Sequence, residues 1–114
     1  MVENYIPDIG DVVWLTLDPT QGHEQQGRRT FLILTPKGYN DKTSLCVGCP
    51  VTNKAKGYPF ERVVSGTQAV TGVVLSDQVK SLDWRARNAD FIAKVDIKTV
   101  QSVRSLIKRL LNIS

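Results

Sequence analysis

A chain of 114 residues, 41% apolar and 23% charged, has room for one hydrophobic core and little for a second, so a single domain over residues 1–114 is expected. No apolar run approaches membrane-spanning length, and the polar first eleven residues carry no secretory leader, so a soluble cytoplasmic protein without membrane contact is expected. The net charge of +4 tilts the partner toward nucleic acid or an acidic protein.

In chain order, Gly10 precedes DVVWLTL, whose Val13, Trp14, Leu15 and Leu17 predict a first strand. Pro19 and Gly22 end it and open the polar loop DPTQGHEQQGRR, which runs into the apolar stretch TFLIL, a second strand over residues 30–35 stopped by Pro36. KGYNDKT, with Gly38, Asn40 and Asp41, reads as a turn. A third strand is predicted over residues 44–51, with Pro50 arguing for an edge or terminal position. TNKAKGYP is a second basic loop. Residues 60–65 predict a fourth strand, and residues 72–75 and 79–84 two more around SDQ. Arg85, Arg87 and Asn88 lie in a polar segment. From Asp96, a reasonable N-cap, the period changes: Ile97, Val100, Val103, Ile107, Leu110 and Leu111 recur at helical spacing. Short strands with Gly and Pro turns, then one amphipathic helix, predict a mainly β fold: a small barrel of strongly bent antiparallel strands closed by a C-terminal α-helix.

Cys46 and Cys49 form CVGC. Zinc would need more ligands than the lone His23 supplies, so the pair reads as buried strand residues, and no metal or cofactor is expected. Trp14 and Trp84 read as core. No Gly-rich phosphate loop or nucleophile elbow is present, which leaves acid–base and electrostatic chemistry. The candidates are His23, Glu24, Arg28, Arg29, Thr52, Asp77, Arg85 and Arg87. If the two polar loops share a rim, Arg29 at the start of one strand meets Thr52 at the end of another. An arginine fork and a hydroxyl held together suit phosphate recognition and a pentacovalent phosphorane. Lys54, Lys56, Lys80, Arg62, Arg85 and Arg87 suit a phosphate-tracking surface, and Tyr58, Phe60 or Trp84 suits base stacking.

The segments YIPDIGDVVWLTLDPTQGHEQQGRR, LTPKGYN, CPVTNKAKGYPFE and GVVLSDQVKSLDWRAR, in that order and followed by the closing helix, resemble the MazF/PemK toxins of type II toxin–antitoxin systems, with the MazF branch the nearer. The resemblance implies an SH3-like barrel assembled as a homodimer. It also implies a metal-independent endoribonuclease that cuts single-stranded mRNA at a short sequence. The 2′-OH attacks, leaving a 2′,3′-cyclic phosphate and a 5′-OH; translation and growth stop, and a cognate MazE-like antitoxin neutralises the dimer. By the resemblance, Arg29 and Thr52 are catalytic and Glu24 is the candidate general base. His23, Arg28, Lys54, Lys56, Asp77, Gln78, Arg85 and Arg87 fall to RNA binding. Leu75 stands where the PemK branch has the arginine that partners its aspartate, so Asp77 lacks that pairing. Thr30 replaces the proline usual after the arginine. The alternative is a non-enzymatic toxin of similar fold that inhibits a protein such as DNA gyrase.

Overall fold

The structure is a computed structural model that describes residues 4–17 and 28–114. Seven antiparallel strands form one sheet: β1 (Asp11–Thr16), β2 (Arg28–Ile33), β3 (Leu45–Thr52), β4 (Glu61–Val63), β5 (Val73–Leu75), β6 (Lys80–Asp83) and β7 (Asp90–Lys94). Their order is β4-β5-β3-β2-β1-β7, with β6 pairing β3. The sheet bends until its ends nearly meet. Asp96 N donates to Ser65 O at 2.8 Å, linking the chain beyond β7 to the chain beyond β4. The expected fold class therefore holds, as a bent sheet with a C-terminal helix rather than a fully closed ladder.

Helix α2 (Ile97–Leu110) starts at Asp96, whose carboxylate accepts from Lys98 N at 3.1 Å. It buries Thr99, Val100, Val103 and Leu106. The expected stripe is thus too wide: Ile97, Leu110 and Leu111 are exposed, and Leu106 does the work assigned to the helix end. Strand alternation splits the apolar residues between two faces. Val12, Leu32, Cys49 and Val51 pack on one side with Val100 and Val103 of α2. Val13, Leu15, Phe31, Ile33, Cys46, Leu82 and Trp84 pack on the other.

Three expectations are corrected. KGYNDKT is not a turn but helix α1 (Lys37–Thr43). Gly38 and Asn40 are poor helix formers, and tertiary bonds outweigh propensity here. Buried Asn40 donates through Nδ2 to Pro7 O and Thr35 O, accepts Thr35 Oγ1, and lends its carbonyl to Trp84 Nε1. Strand β7 was not expected at all; its DFIAK is short and broken by a bulge against Val12 and Val13. Pro50 is central rather than at an edge, since β3 has neighbours on both sides. Leu34 N donates to Val47 O, which fixes the hydrogen-bonding pairs of β2 and β3 as 34–47, 32–49 and 30–51. Pro50 therefore turns its missing donor away from β2. There β6 has ended opposite Gly48, β5 begins opposite Val51, and a 3-10 turn, Ser76–Gln78, fills the break. Gly48 is needed in β3, because a Cβ would stand 2.0 Å from Leu32 O.

Candidate functional site

Strand register assembles the site. β2 and β3 pair Thr30 with Val51 and Phe31 with Pro50. The same register carried one residue further sets Arg29 opposite Thr52. Directly opposed side chains on one face have Cβ atoms about 5 Å apart. Arg29 also pairs with Leu15 of β1, so its anchor is a strand with a buried neighbour while its side chain is exposed. Among the described residues, no hydrogen bond or ion pair engages its guanidinium. Thr52 Oγ1 accepts from Lys54 N at 3.1 Å, and its hydroxyl proton has no acceptor among the described residues.

Beside this pair lies a cavity of ≈ 280 Å³ lined by Thr52, Lys54, Lys56, Tyr58, Glu61, Leu75, Asp77 and Gln78. Two loops and the 3-10 turn build it. The Glu61 carboxylate organises one wall, taking Lys56 N at 3.0 Å and Gly57 N at 2.9 Å. This curls the backbone between Thr52 and Tyr58 so that both lysines project to solvent. The break in the β3 edge, with its 3-10 turn, supplies Asp77 and Gln78. Five expected residues, Thr52, Lys54, Lys56, Asp77 and Gln78, thus share one concavity next to Arg29. Glu61 and Tyr58 join them; neither was among the expected site residues, although Tyr58 was noted for stacking.

Arg28, Arg85 and Arg87 are placed differently. Arg28 reaches across the sheet end: Nη1 donates to Arg87 O at 3.2 Å, and Nη2 donates to Trp14 O, Asn88 O and, at 2.8 Å, Asp90 Oδ2. Arg87 donates to Thr16 O and Leu17 O, each at 2.7 Å. Arg85 lies over the Trp84 ring at 4.4 Å and pairs with Asp41 at 3.0 Å. These guanidiniums knit the chain together, and none lines the cavity. His23 and Glu24 lie outside the described residues.

Cys46 and Cys49 sit in different clusters on opposite faces of β3. Burial pushes each thiol up to about 12, which suits core residues and not a redox pair. Trp84 is buried as expected, whereas Trp14 is 45% exposed. No three His, Cys, Asp or Glu side chains gather within metal-binding reach among the described residues. No helix among them is long and apolar enough to cross a membrane.

The model of a family described as PemK-like, MazF-like toxin of type II toxin–antitoxin system matches residues 8–111. The chain is 47% identical over 111 residues to the endoribonuclease toxin MazF of Escherichia coli K12, covering 97% of this chain and 99% of that one. Its fold superposes on the crystal structure of MazF from Deinococcus radiodurans with a TM-score of 0.85 at 47% identity, covering 96% of this chain and all of the other. A MazE–MazF crystal structure from the same organism gives a TM-score of 0.86 at 42% identity over 97% of this chain.

Proposed function

Because the chain belongs to the PemK-like, MazF-like toxin family of type II toxin–antitoxin systems, we propose that Arg29 and Thr52 carry its chemistry on RNA. The chain is a toxin endoribonuclease with a cognate antitoxin of the MazE kind. It acts in the cytoplasm as a homodimer, on single-stranded mRNA.

One observation carries the proposal: β2–β3 register sets a guanidinium with no partner among the described residues opposite Thr52, whose hydroxyl lines a lysine-bearing cavity. The Arg29 fork holds the two non-bridging oxygens of the scissile phosphate and neutralises the charge that grows on them. The Thr52 hydroxyl donates to the same phosphate. The 2′-oxygen of the adjoining ribose then attacks phosphorus, and its proton passes to a base, for which Glu24 is the candidate. The P–O5′ bond breaks, and the leaving oxygen takes up a proton. The chain is severed with a 2′,3′-cyclic phosphate on one side and a 5′-OH on the other. Since the nucleophile belongs to the substrate, the protein supplies position and charge rather than a covalent partner. Lys54 and Lys56 hold the flanking phosphates. Asp77 and Gln78 line the path of the strand, where a carboxylate and an amide suit base edges better than phosphates.

The test incubates purified protein with a long defined RNA in EDTA and maps the ends. Cuts at a short recurring sequence, ending in cyclic phosphate and 5′-OH, are expected. Ends bearing a 3′-OH would overturn the 2′-OH mechanism. Intact RNA together with inhibited gyrase would favour a non-enzymatic toxin.

A further inference from the structure

On the other face of the sheet from Arg29, a second concavity of ≈ 170 Å³ abuts Thr52. Its floor is a cross-strand row: Trp14 of β1 pairs with Thr30 of β2, which pairs with Val51 of β3. Ile92 closes one side, and the loop bearing Ala69, Val70 and Thr71 forms the opposite wall with Asn53. Three features set this hollow apart from an ordinary dimple.

The first is an aromatic platform. Trp14 lies on a strand with neighbours on both sides, yet its side chain is 45% exposed. An exposed indole on a rigid sheet offers a flat apolar face for stacking.

The second is an oriented amide. Thr71 Oγ1 donates to Asn53 Oδ1 at 3.0 Å, which fixes the side chain. The Asn53 amide nitrogen then has no protein partner among the described residues, and Oδ1 keeps a second lone pair. Thr30 Oγ1 is already spent on Val51 O at 3.0 Å. Thr30 Oγ1 and Thr71 Oγ1 have spent their protons and can only accept, so the donor offered beside the Thr52 hydroxyl is the Asn53 amide.

The third is the way the wall is held. Gly72 has φ +113, and a Cβ there would stand 2.3 Å from Thr52 O and 2.9 Å from Asn53 Oδ1. Only glycine lets this loop lie against the end of β3. The hollow is thus built by the same backbone that presents Thr52.

A hollow well below the ~300 Å³ of drug-sized ligand sites takes one ring system. Resting on the proposed function above, we infer that this is a nucleobase subsite. A base flanking the cleaved phosphate turns over the rim at Thr52, stacks on Trp14 and meets the Asn53 amide with its edge. Unpaired RNA bases splay in this way, and stacking on an aromatic with one amide to read the edge is a common mode of recognition. The RNA strand would then straddle the end of β3, with phosphate on the Arg29 face and base on the Trp14 face.

The test is cleavage of an RNA pool randomised around the cut site by wild type, Trp14→Ala, Trp14→Phe and Asn53→Ala. Trp14→Ala is expected to lower kcat/KM on the preferred sequence roughly ten- to hundred-fold and to flatten the preference at one flanking position. Trp14→Phe should restore most of it. Asn53→Ala, on an exposed loop, should relax the same position and no other. In the wild type, a strand with 2′-deoxyribose at the cut site should quench the fluorescence of exposed Trp14 and leave that of buried Trp84 unchanged. Cleavage with the wild-type preference kept at every position in Asn53→Ala, with no quenching, overturns the subsite. So does an unaltered preference accompanied by weakened antitoxin binding, which would make the hollow a protein contact. Failure of the wild type to cut any RNA would instead remove the function on which the subsite rests.

Discussion

Arg28 and Arg29 are adjacent and chemically identical, yet the fold uses them in opposite ways. Arg28 turns to the corner where β1, β2, β7 and the segment around Asn88 converge, and its donors are taken by backbone carbonyls and Asp90. Arg29 turns to the other face of the strand, opposite Thr52, with its fork unengaged among the described residues. The difference follows from the two-residue period of a strand, since neighbouring side chains cannot share a face. The lesson extends to the whole basic composition. Arg28, Arg85 and Arg87 are internal fasteners, whereas Arg29, Lys54 and Lys56 are exposed to solvent. A net positive charge counts the two sets together and says nothing of their division.

The sharpest way to break this comparison is Arg29→Ala. Loss of the group that neutralises the phosphorane is expected to lower the cleavage rate about 10³-fold, while the urea midpoint stays near wild type. RNA cut at an undiminished rate would remove Arg29 from the chemistry. Arg28→Ala should do the reverse. It removes the clasp that ties the carbonyls of Trp14, Arg87 and Asn88 together, and its partly exposed pair with Asp90 adds little after solvent screening. A loss of about 2 kcal/mol of unfolding free energy is expected, read from urea denaturation. If Arg28→Ala abolished cleavage with full stability, the two arginines would share one role.

Sequence pattern made some of this legible. The helical stripe with Asp96 as cap, the apolar run after the paired arginines and the hydroxyl closing the third strand are local signals, and the structure places each within a residue or two. Pairing Arg29 with Thr52 needed only an antiparallel hairpin logic. What local signals do not carry is the outcome of packing. α1 forms because Asn40 is bonded on every side, although its own segment reads as a turn. Pro50 survives mid-sheet because the neighbouring edge is interrupted opposite it. Arg28, Arg85 and Arg87 look like free surface charge until the carbonyls that bind them arrive from residues far along the chain. Trp14 looks like core because tryptophan usually is. Lys54 and Lys56 are legible as a basic loop and Asp77 by resemblance, but their convergence with Gln78 depends on the Glu61 clasp and the 3-10 turn, which no spacing reveals.

Thr52→Ala tests the partner of the arginine. A hydrogen bond to a charged phosphate is worth about 1.5–3 kcal/mol, so the rate should fall about ten- to a hundred-fold, short of the Arg29 loss. Val51, next to it, pairs with Thr30 and Val74 on either side, so the strand end should keep its place. An equal loss from Thr52→Ala and Arg29→Ala would show the two acting as one coupled unit.

The smallest effect separates the two sets of cations most cleanly. A lysine that neutralises one phosphate of a single strand releases its counterion on binding, and contributes about 0.7 to the slope of log affinity against log salt. Lys54→Ala or Lys56→Ala should each reduce that slope by about this amount and weaken binding only a few-fold at physiological salt, measured with a 2′-deoxy strand that cannot be cut. Arg85→Ala removes the same formal charge, but its guanidinium already faces Asp41 and the Trp84 ring. Its slope should match the wild type. Net charge alone predicts the same change for all three variants, whereas the division into fasteners and presented cations predicts it for the lysines only. A slope reduced equally by Arg85→Ala would mean that the guanidinium leaves Asp41 for RNA and that the fasteners are a reserve of binding charge.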